Sequence, residues 1–389
     1  DYFMTTKLAW NEFNKVPYDT MNWEGIDGSE VFTHMITTLG VGQPETSFFT
    51  TYNGMLHPDA IMGGWDRYQN KDINNDILIS YGYGDGGGGP TRRMLETSKR
   101  MEKGIKGVPK VRQAFARTYF DELHEKVKDS KRLPTWIGEL YFEFHRGTYT
   151  SMARNKRGNR KSEYAMMDLE LLSVLAENAG KAYPTEELNR MWEMILTNQF
   201  HDILPGTCIP RAHEESRAMT TALIKRARDL VRELAESDAS DRVTVTNTLS
   251  FDRSDVIVLD YSGKIVDGDY RQQVYTDLRG NKKLMVGGVT VPAFSSVTLK
   301  LVDGKIEGES AFKLDGERLE TPFASVKFAD NGTISSFVDK RAERELCGDG
   351  YNLNTLLLAE DFPCDWDNWD VDADIEMKFE DASKLISRE

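Results

Sequence analysis

The hydrophobic period changes twice along this chain, and that constrains its fold more than any single motif does. From 1 to 147 short apolar runs alternate with helical patterns. YFMTTKL, VFTHMITT, DILISYGYG, KVRQAFA and TWIGELYF read as buried strands, with TRRMLETSKRMEKGI and TYFDELHEKV as the helices between them. This alternation predicts βα units on a parallel sheet, where ligands bind at the carboxyl ends of the strands. From 148 to 236 the strand signals stop. Leu169, Leu172 and Ala176 share one helical face, Leu188, Met191, Trp192, Ile195, Leu196 and Phe200 a second, and Met219, Leu223, Ala227, Leu230, Val231 and Leu234 a third, which predicts a three-helix bundle. Pro184 and Thr185 open the second of these helices and Pro205-Gly206 follows its end. After the acidic stretch ESDASD the period becomes two. VTVTNTLSF, SDVIVLDYSG, LMVGGVTV, SSVTLKLV and ASVKFADNGTISSFV predict antiparallel strands over 242 to 389, the start of a β-sandwich. The expected class is multidomain α/β plus β. The chain opens inside a strand-like run and closes on ASKLISRE without a final strand signal, so both ends read as cuts.

Charge and composition narrow the partners. With 49 Lys and Arg against 63 Asp and Glu the net charge is -14, which excludes nucleic acid and an anionic membrane as expected partners and favours neutral or cationic ligands. No apolar run approaches the roughly 20 residues of a membrane span, and DYFMTTKLAW lacks the regions of a signal peptide, so the expected location is cytoplasmic. Cys208, Cys347 and Cys364 have no metal-like spacing and imply a reducing compartment. The sequon Asn331-Gly332-Thr333 lies in DNGT, which reads as a hairpin turn.

Four features could carry chemistry. In YGYGDGGGGP, four glycines remove every side chain after Asp85, so its carboxyl group can meet a bulky substrate closely; the alternative is a flexible connection. The loop lacks the Gly-Lys-Ser/Thr of a phosphate cradle. In NQFHDILPG, His201 and Asp202 stand at the end of an apolar helix. They read either as a buried His capping the last carbonyls with Asp202 starting a turn, or as a metal ligand and its neighbour. The other histidines, 34, 57, 124, 145 and 213, are scattered, so the residues alone leave a metal site incomplete. The segment YFEFHRGTYTSMARNKRGNR is the most basic of this acidic chain, a solvated face or a strut beside a cleft. Trp10, Trp23, Trp65 and Trp136 offer faces that stack on sugar rings, or simply belong to the core.

GELYFEFHRGTYTSMARNKRGNR, NQFHDILPGT, YGYGDGGGGPT, the opening DYFMTTKLAWNEFNKVPYDTMNWEGIDGSEVFTHMITT and the later EDFPCDWDNWDVDADI together resemble the glycoside hydrolase family 38 α-mannosidases, in particular the bacterial and cytosolic branch. The resemblance covers nearly the whole chain. It implies a partial β/α-barrel-like catalytic domain over 1–147, a three-helix bundle over 148–236 that completes the active site, and a β-sandwich domain over 242–389. It also implies retaining hydrolysis of α-mannosides beside a bound zinc or another divalent cation. A double displacement needs two carboxyl groups about 5 Å apart, one to attack the sugar and one to protonate the leaving oxygen. Matched motif by motif, Asp85 is the expected acid/base, His201 a metal ligand, Asp202 a partner of the sugar hydroxyls and Trp23 a substrate contact.

One departure stands against the family pattern. The family's first zinc motif, an H-x-D or H-x-H, and the Asp nucleophile after it precede the segment matching DYFMTTKL. The residues of this chain begin at that segment, so both, and with them the remaining metal ligands, are expected outside the chain. This chain alone is therefore expected to be inactive, to bind zinc weakly or not at all, and to expose an apolar sheet edge that aggregates or pairs with another chain, a homo-oligomer included. Two other classes compete: a non-catalytic carbohydrate-binding protein on the same scaffold, and a related metal-dependent polysaccharide deacetylase, which would release acetate.

Overall fold

A computed structural model describes residues 2–11, 13–37, 52–84, 87–234, 240–306 and 310–387, in two compact units, Asp1–Arg146 and Gly147–Glu389. The first unit holds an open four-stranded sheet of β1 (Tyr2–Thr5), β2 (Thr20–Glu24), β3 (Glu30–Met35) and β4 (Thr135–Ile137), in the order β1-β3-β2-β4. β1 runs parallel to β3 and β2 to β4, but β2 and β3 are antiparallel, with Thr20 opposite His34. The expectation of an all-parallel sheet is thus corrected at its centre. The cause is a tight reversal: Gly25 N–H donates to Ser29 O at 2.9 Å, Ser29 N–H donates to Asp27 Oδ1 at 3.0 Å, and Gly28 takes φ +79°.

Alternation along β3 serves two cores. Phe32 packs with Tyr119, Phe120, Leu123 and Val127 of a helix, while Met35 joins Leu8, Val16 and Met21 on the other face. The helices are α1 (Pro58–Arg67), α2 (Arg92–Glu102) and α3 (Ala116–Val127). α1 begins with Pro58 behind a His57 cap, and Thr91 Oγ1 caps α2 by accepting Met94 N–H at 3.2 Å. The strands expected in DILISYGYG and KVRQAFA do not form. These segments run without a ladder among the described residues, apart from a single bridge between Tyr81 and Gly54. A short apolar run marks burial, whereas a strand also needs a neighbour with which to pair.

In the second unit, α4 (Ala153–Asn178), α5 (Thr185–Asn198) and α6 (Pro210–Leu234) share one core built from Met166, Leu169, Leu188, Met191, Ile195, Leu223 and Ala227. Asn155 meets His213 near the start of α4 and α6, and Lys181, just past the end of α4, donates to the Leu234 carbonyl, so these two helices run parallel. Leu196 and Phe200, expected on the buried face of α5, are both exposed.

Beyond the helices the strands are β5 (Arg242–Thr246), β6 (Ile257–Asp260), β7 (Lys264–Val266), β8 (Arg271–Thr276), β9 (Lys282–Gly287) and β10 (Ser296–Asp303). They form two three-stranded antiparallel sheets, β5-β10-β7 and β6-β9-β8, over one core of Val266, Leu284, Val286, Val289, Val291 and Leu299. A meander follows: β11 (Lys313–Asp315), β12 (Arg318–Glu320), β13 (Ala324–Phe328), β14 (Ile334–Asp339) and β15 (Arg344–Glu345). DNGT turns β13 into β14, with Gly332 at φ +86° and Asn331 Oδ1 accepting Thr333 N–H at 3.2 Å. No helix among the described residues is long and apolar enough to cross a membrane.

Candidate active site

The NQFHDILPG segment leaves α5 at Asn198 and folds into successive turns, with Ile203 N–H and Leu204 N–H donating to Phe200 O at 2.9 and 3.1 Å and Gly206 N–H to Ile203 O at 3.2 Å. The first turns of α4 pin this loop from behind. Lys156 Nζ donates to the carbonyls of Ser151, Leu204 and Pro205 at 2.6, 3.0 and 3.0 Å, and burial lowers its pKa. Asn155 Nδ2 donates to Ile203 O at 3.3 Å. Gly206 has φ +93°, and a Cβ there would stand 2.7 Å from Ser151 O, so only glycine fits.

A loop held this way presents its polar pair outward. The His201 side chain is 73% exposed, its ring tilts over Phe200 with centroids 4.3 Å apart, and its Nε2 lies 3.4 Å from Asp202 Oδ2. Asp202 Oδ1 accepts the Thr207 hydroxyl at 2.8 Å. A buried His capping the helix is thereby ruled out; the terminal carbonyls of α5 are met instead by Gln199 and Phe200 N–H groups.

Two other sequence motifs reach the same region. Gly147 lies so close to the segment 368–370 that a Cβ on it would stand 2.9 Å from Asp370 O and 3.0 Å from Trp369 O, while Ser151 Oγ donates to Asn368 O at 3.3 Å. Trp366 and Asn368 both have positive φ, +51° and +67°, a strained conformation for the tryptophan. GTYTSMARNK, NQFHDILPG and DWDNWD, far apart in sequence, therefore lie together within the second unit.

In the first unit, Trp23 sits in β2 with its ring 5.3 Å from that of Phe3 and its indole N–H donating to Gly138 O at 2.7 Å, so its polar edge is engaged. Asp85 lies outside the described residues, but the neck of its loop is described. Tyr83 N–H donates to Gly89 O at 3.1 Å, and Cβ atoms at Gly82 and Gly88 would stand 2.9 Å from Pro90 N and 2.7 Å from Tyr83 Cβ. The glycines at these two places permit a close backbone crossing.

A buried polar network in the same unit escaped the sequence reading. His34 is buried, with Nδ1 2.9 Å from Thr20 Oγ1 and Nε2 3.3 Å from Tyr119 OH; Thr20 Oγ1 also meets Tyr68 OH at 2.8 Å. Tyr119 OH donates to Asp76 O at 3.1 Å, so every group is satisfied by neutral His34 with its proton on Nε2. Burial drives the His34 pKa down to about 3. Beside it, buried Asp19 accepts Gln69 N–H at 2.7 Å and burial pushes its carboxyl up to about 6. The polar residue beside each alternating apolar one was the available signal. A cavity of about 700 Å³ lined by Trp65, Ile77, Ile79, Tyr81, Glu102 and Arg112 lies in this unit, and Trp23 does not line it.

For a divalent metal, the second unit offers the exposed His201 imidazole and the Asp202 carboxylate, and among the described residues no group of three His, Cys, Asp or Glu could hold an ion. Two donors fall short of the three or four protein ligands of a zinc site, so these residues alone do not fit the metal.

Comparison with known families fits this arrangement. Residues 1–139 match the glycosyl hydrolases family 38 N-terminal domain, 143–237 the alpha mannosidase middle domain, and 319–388 the glycosyl hydrolases family 38 C-terminal domain. The chain belongs to glycoside hydrolase family 38. Among the family's curated members it is similar to alpha-mannosidase G of Dictyostelium discoideum, 31% identical over 416 residues that cover 95% of this chain and 36% of that protein. It is likewise similar to alpha-mannosidase 2C1 of Homo sapiens, 32% identical over 380 residues covering 95% and 34%. The chain thus spans about a third of the length of these relatives. Its fold is shared with an alpha-mannosidase from Enterococcus faecalis V583, at a TM-score of 0.60 and 15% identity over 84% of this chain and 43% of that one. Within the family frame, Trp23 and Asp85 fall in the N-terminal domain, His201 and Asp202 in the middle domain, and DWDNWD in the C-terminal domain.

Proposed function

We propose that the protein is a retaining α-mannosidase acting on terminal α-mannosides of oligosaccharides, with the three-part division at 1–147, 148–236 and 242–389 and a partial β/α-barrel-like catalytic domain. The observation that carries this reading is the exposed His201–Asp202 pair, displayed on a pinned loop inside a segment that matches the alpha mannosidase middle domain. With Oδ1 engaged by Thr207, Asp202 keeps Oδ2 as an acceptor for sugar hydroxyls. Asp85, on its glycine loop, is assigned the acid/base role: it protonates the departing glycosidic oxygen while a second carboxylate attacks the anomeric carbon, then removes a proton from the water that releases mannose. Trp23 is assigned a stacking contact with the substrate through its ring face. His201 takes one place in the coordination of a divalent cation, zinc by resemblance. The setting assigned is cytoplasmic, with self-association allowed through the edge strands β1 and β4 of the first unit's sheet.

The attacking carboxylate and the further metal ligands are not assigned to any residue of this chain. Accordingly the 389-residue chain alone is predicted to leave 4-nitrophenyl α-mannoside intact. Hydrolysis by this chain that a chelator abolishes and zinc restores would falsify that part of the reading.

A further inference from the structure

The parallel helices α4 and α6 flank a groove of about 480 Å³ whose walls carry Arg154, Arg157 and Lys161 from α4 and Arg217 and Arg228 from α6, over a floor where Gly158 meets Thr220. The spacings follow the helical repeat, so the cations line one face of each helix, over roughly 10 Å on α4 and 16 Å on α6 at 1.5 Å per residue. No carboxylate lines the groove. Among the described residues none of the five cations forms an ion pair, whereas their neighbours do: Arg160 pairs with Glu163, Lys225 with Asp229, Arg226 with Glu187 and Arg211 with Glu215. Composition does not explain such a cluster in a chain of net charge -14.

Helix electrostatics add a second, independent observation. Arg154 and Arg157 occupy the first two turns of α4, and neither α4 nor α6 has an acidic residue in its first turn. A cation there opposes the positive end of the helix dipole. Because the two helices run parallel, their positive ends add at the same end of the groove. Mutual repulsion and the dipoles are both relieved by an anion, and guanidinium forks match phosphate oxygens in pairs.

We infer that this groove is a binding site for a linear oligophosphate, a ligand of the triphosphate class whose charges spread along the cation rows. This site is independent of the His201–Asp202 loop and of the proposed hydrolytic reaction. Nucleoside triphosphates and inorganic polyphosphate share the chemistry that the groove recognises.

Titration calorimetry of the 389-residue chain with sodium tripolyphosphate and, separately, with ATP at low salt tests it. Saturable one-site binding that weakens steeply with added salt is expected, with an Arg157→Gln/Arg217→Gln variant weakening by about 10-fold or more. The paired cations supply the control, Arg160→Gln/Arg211→Gln, which should change affinity by less than about 2-fold. Should the first pair fail to fold, Arg228→Gln alone, at an exposed position, is expected to weaken binding by about 3-fold. ATP binding more tightly than tripolyphosphate would assign the site to nucleotides, and equal binding would assign it to free polyphosphate. Absence of saturable binding by both probes, or equal losses in the groove and control variants, would overturn the proposal.

Discussion

The two oxygens of Asp202 are divided between two partners: Oδ1 accepts the hydroxyl of Thr207 at 2.8 Å, and Oδ2 faces His201 Nε2 at 3.4 Å. The first contact spans one reversal of the chain, which Thr207 N–H closes by donating to Asp202 O at 3.0 Å. Thr207 therefore acts as a positioning residue, holding the carboxylate with Oδ2 turned toward His201.

Thr207→Val removes that hydroxyl at nearly constant volume. It is expected to cost about 1 kcal/mol in urea denaturation, the usual value of one partly buried hydrogen bond, and Thr207→Ser should recover most of it. A loss in Thr207→Ser with none in Thr207→Val would mean that the methyl group, not the hydroxyl, matters there.

Gly206 and Gly180 separate two reasons for glycine. Both have φ near +90°, but a Cβ at Gly206 would collide with Ser151 O at 2.7 Å, whereas a Cβ at Gly180 meets nothing within 4 Å. Gly180→Ala should cost about 1 kcal/mol from backbone strain alone, and Gly206→Ala about 2–4 kcal/mol because overpacking adds to it. Comparable thermal stabilities for the two variants would contradict the close crossing of the His201 loop over Ser151.

Asp19 and His34 give opposite slopes to stability against pH. The raised carboxyl of Asp19, about 6 folded against 3.8, makes the folded state bind more protons, so its contribution is full below 3.8 and lost as pH rises toward 6. The depressed imidazole of His34, about 3 against 6.5, contributes stability above 6.5 that is lost as pH falls toward 3. Between about 4 and 6 the two slopes cancel, roughly 1.4 kcal/mol per pH unit each. Asp19→Asn removes one of them. It should be more stable than the native chain at pH 7.5 by up to about 3 kcal/mol, with no gain near pH 4 and a steep fall on acidification. Parallel stability curves for the two proteins would refute the burial-driven shift.

Helix and antiparallel-strand periods were legible where each element packs on its own neighbours. The 3.6 period of Leu188, Met191 and Ile195 marks a buried stripe, and the period two of Leu284 and Val286 a buried face. It overreached at Leu196 and Phe200, because a helix end can continue the pattern after the partner helix has turned away. DILIS and KVRQAFA were misread because a short apolar run carries no information about a pairing partner. The β2–β3 hairpin was available in GIDGS, but the reversal lies between polar-rich strands. α1 was missed because the two glycines in PDAIMGGWDR mask its helical pattern, although Pro58 marks its start. At the candidate site, the residues of the exposed pair were readable from their motif. Their exposure was not, since it depends on Lys156 gripping the loop from 48 residues before the carbonyl of Leu204. The approach of Asp370 to Gly147 depends likewise on tertiary packing that no local pattern encodes.

The most direct test of the central claim is hydrolysis of 4-nitrophenyl α-mannoside by the protein as its gene encodes it, comparing the native form with His201→Ala and Asp202→Ala. Turnover with retained anomeric configuration, reduced in kcat/KM by about 100-fold or more in each variant while folding is unchanged, is the predicted result. Undiminished α-mannoside turnover in both variants would contradict the assignment of this pair to the active site.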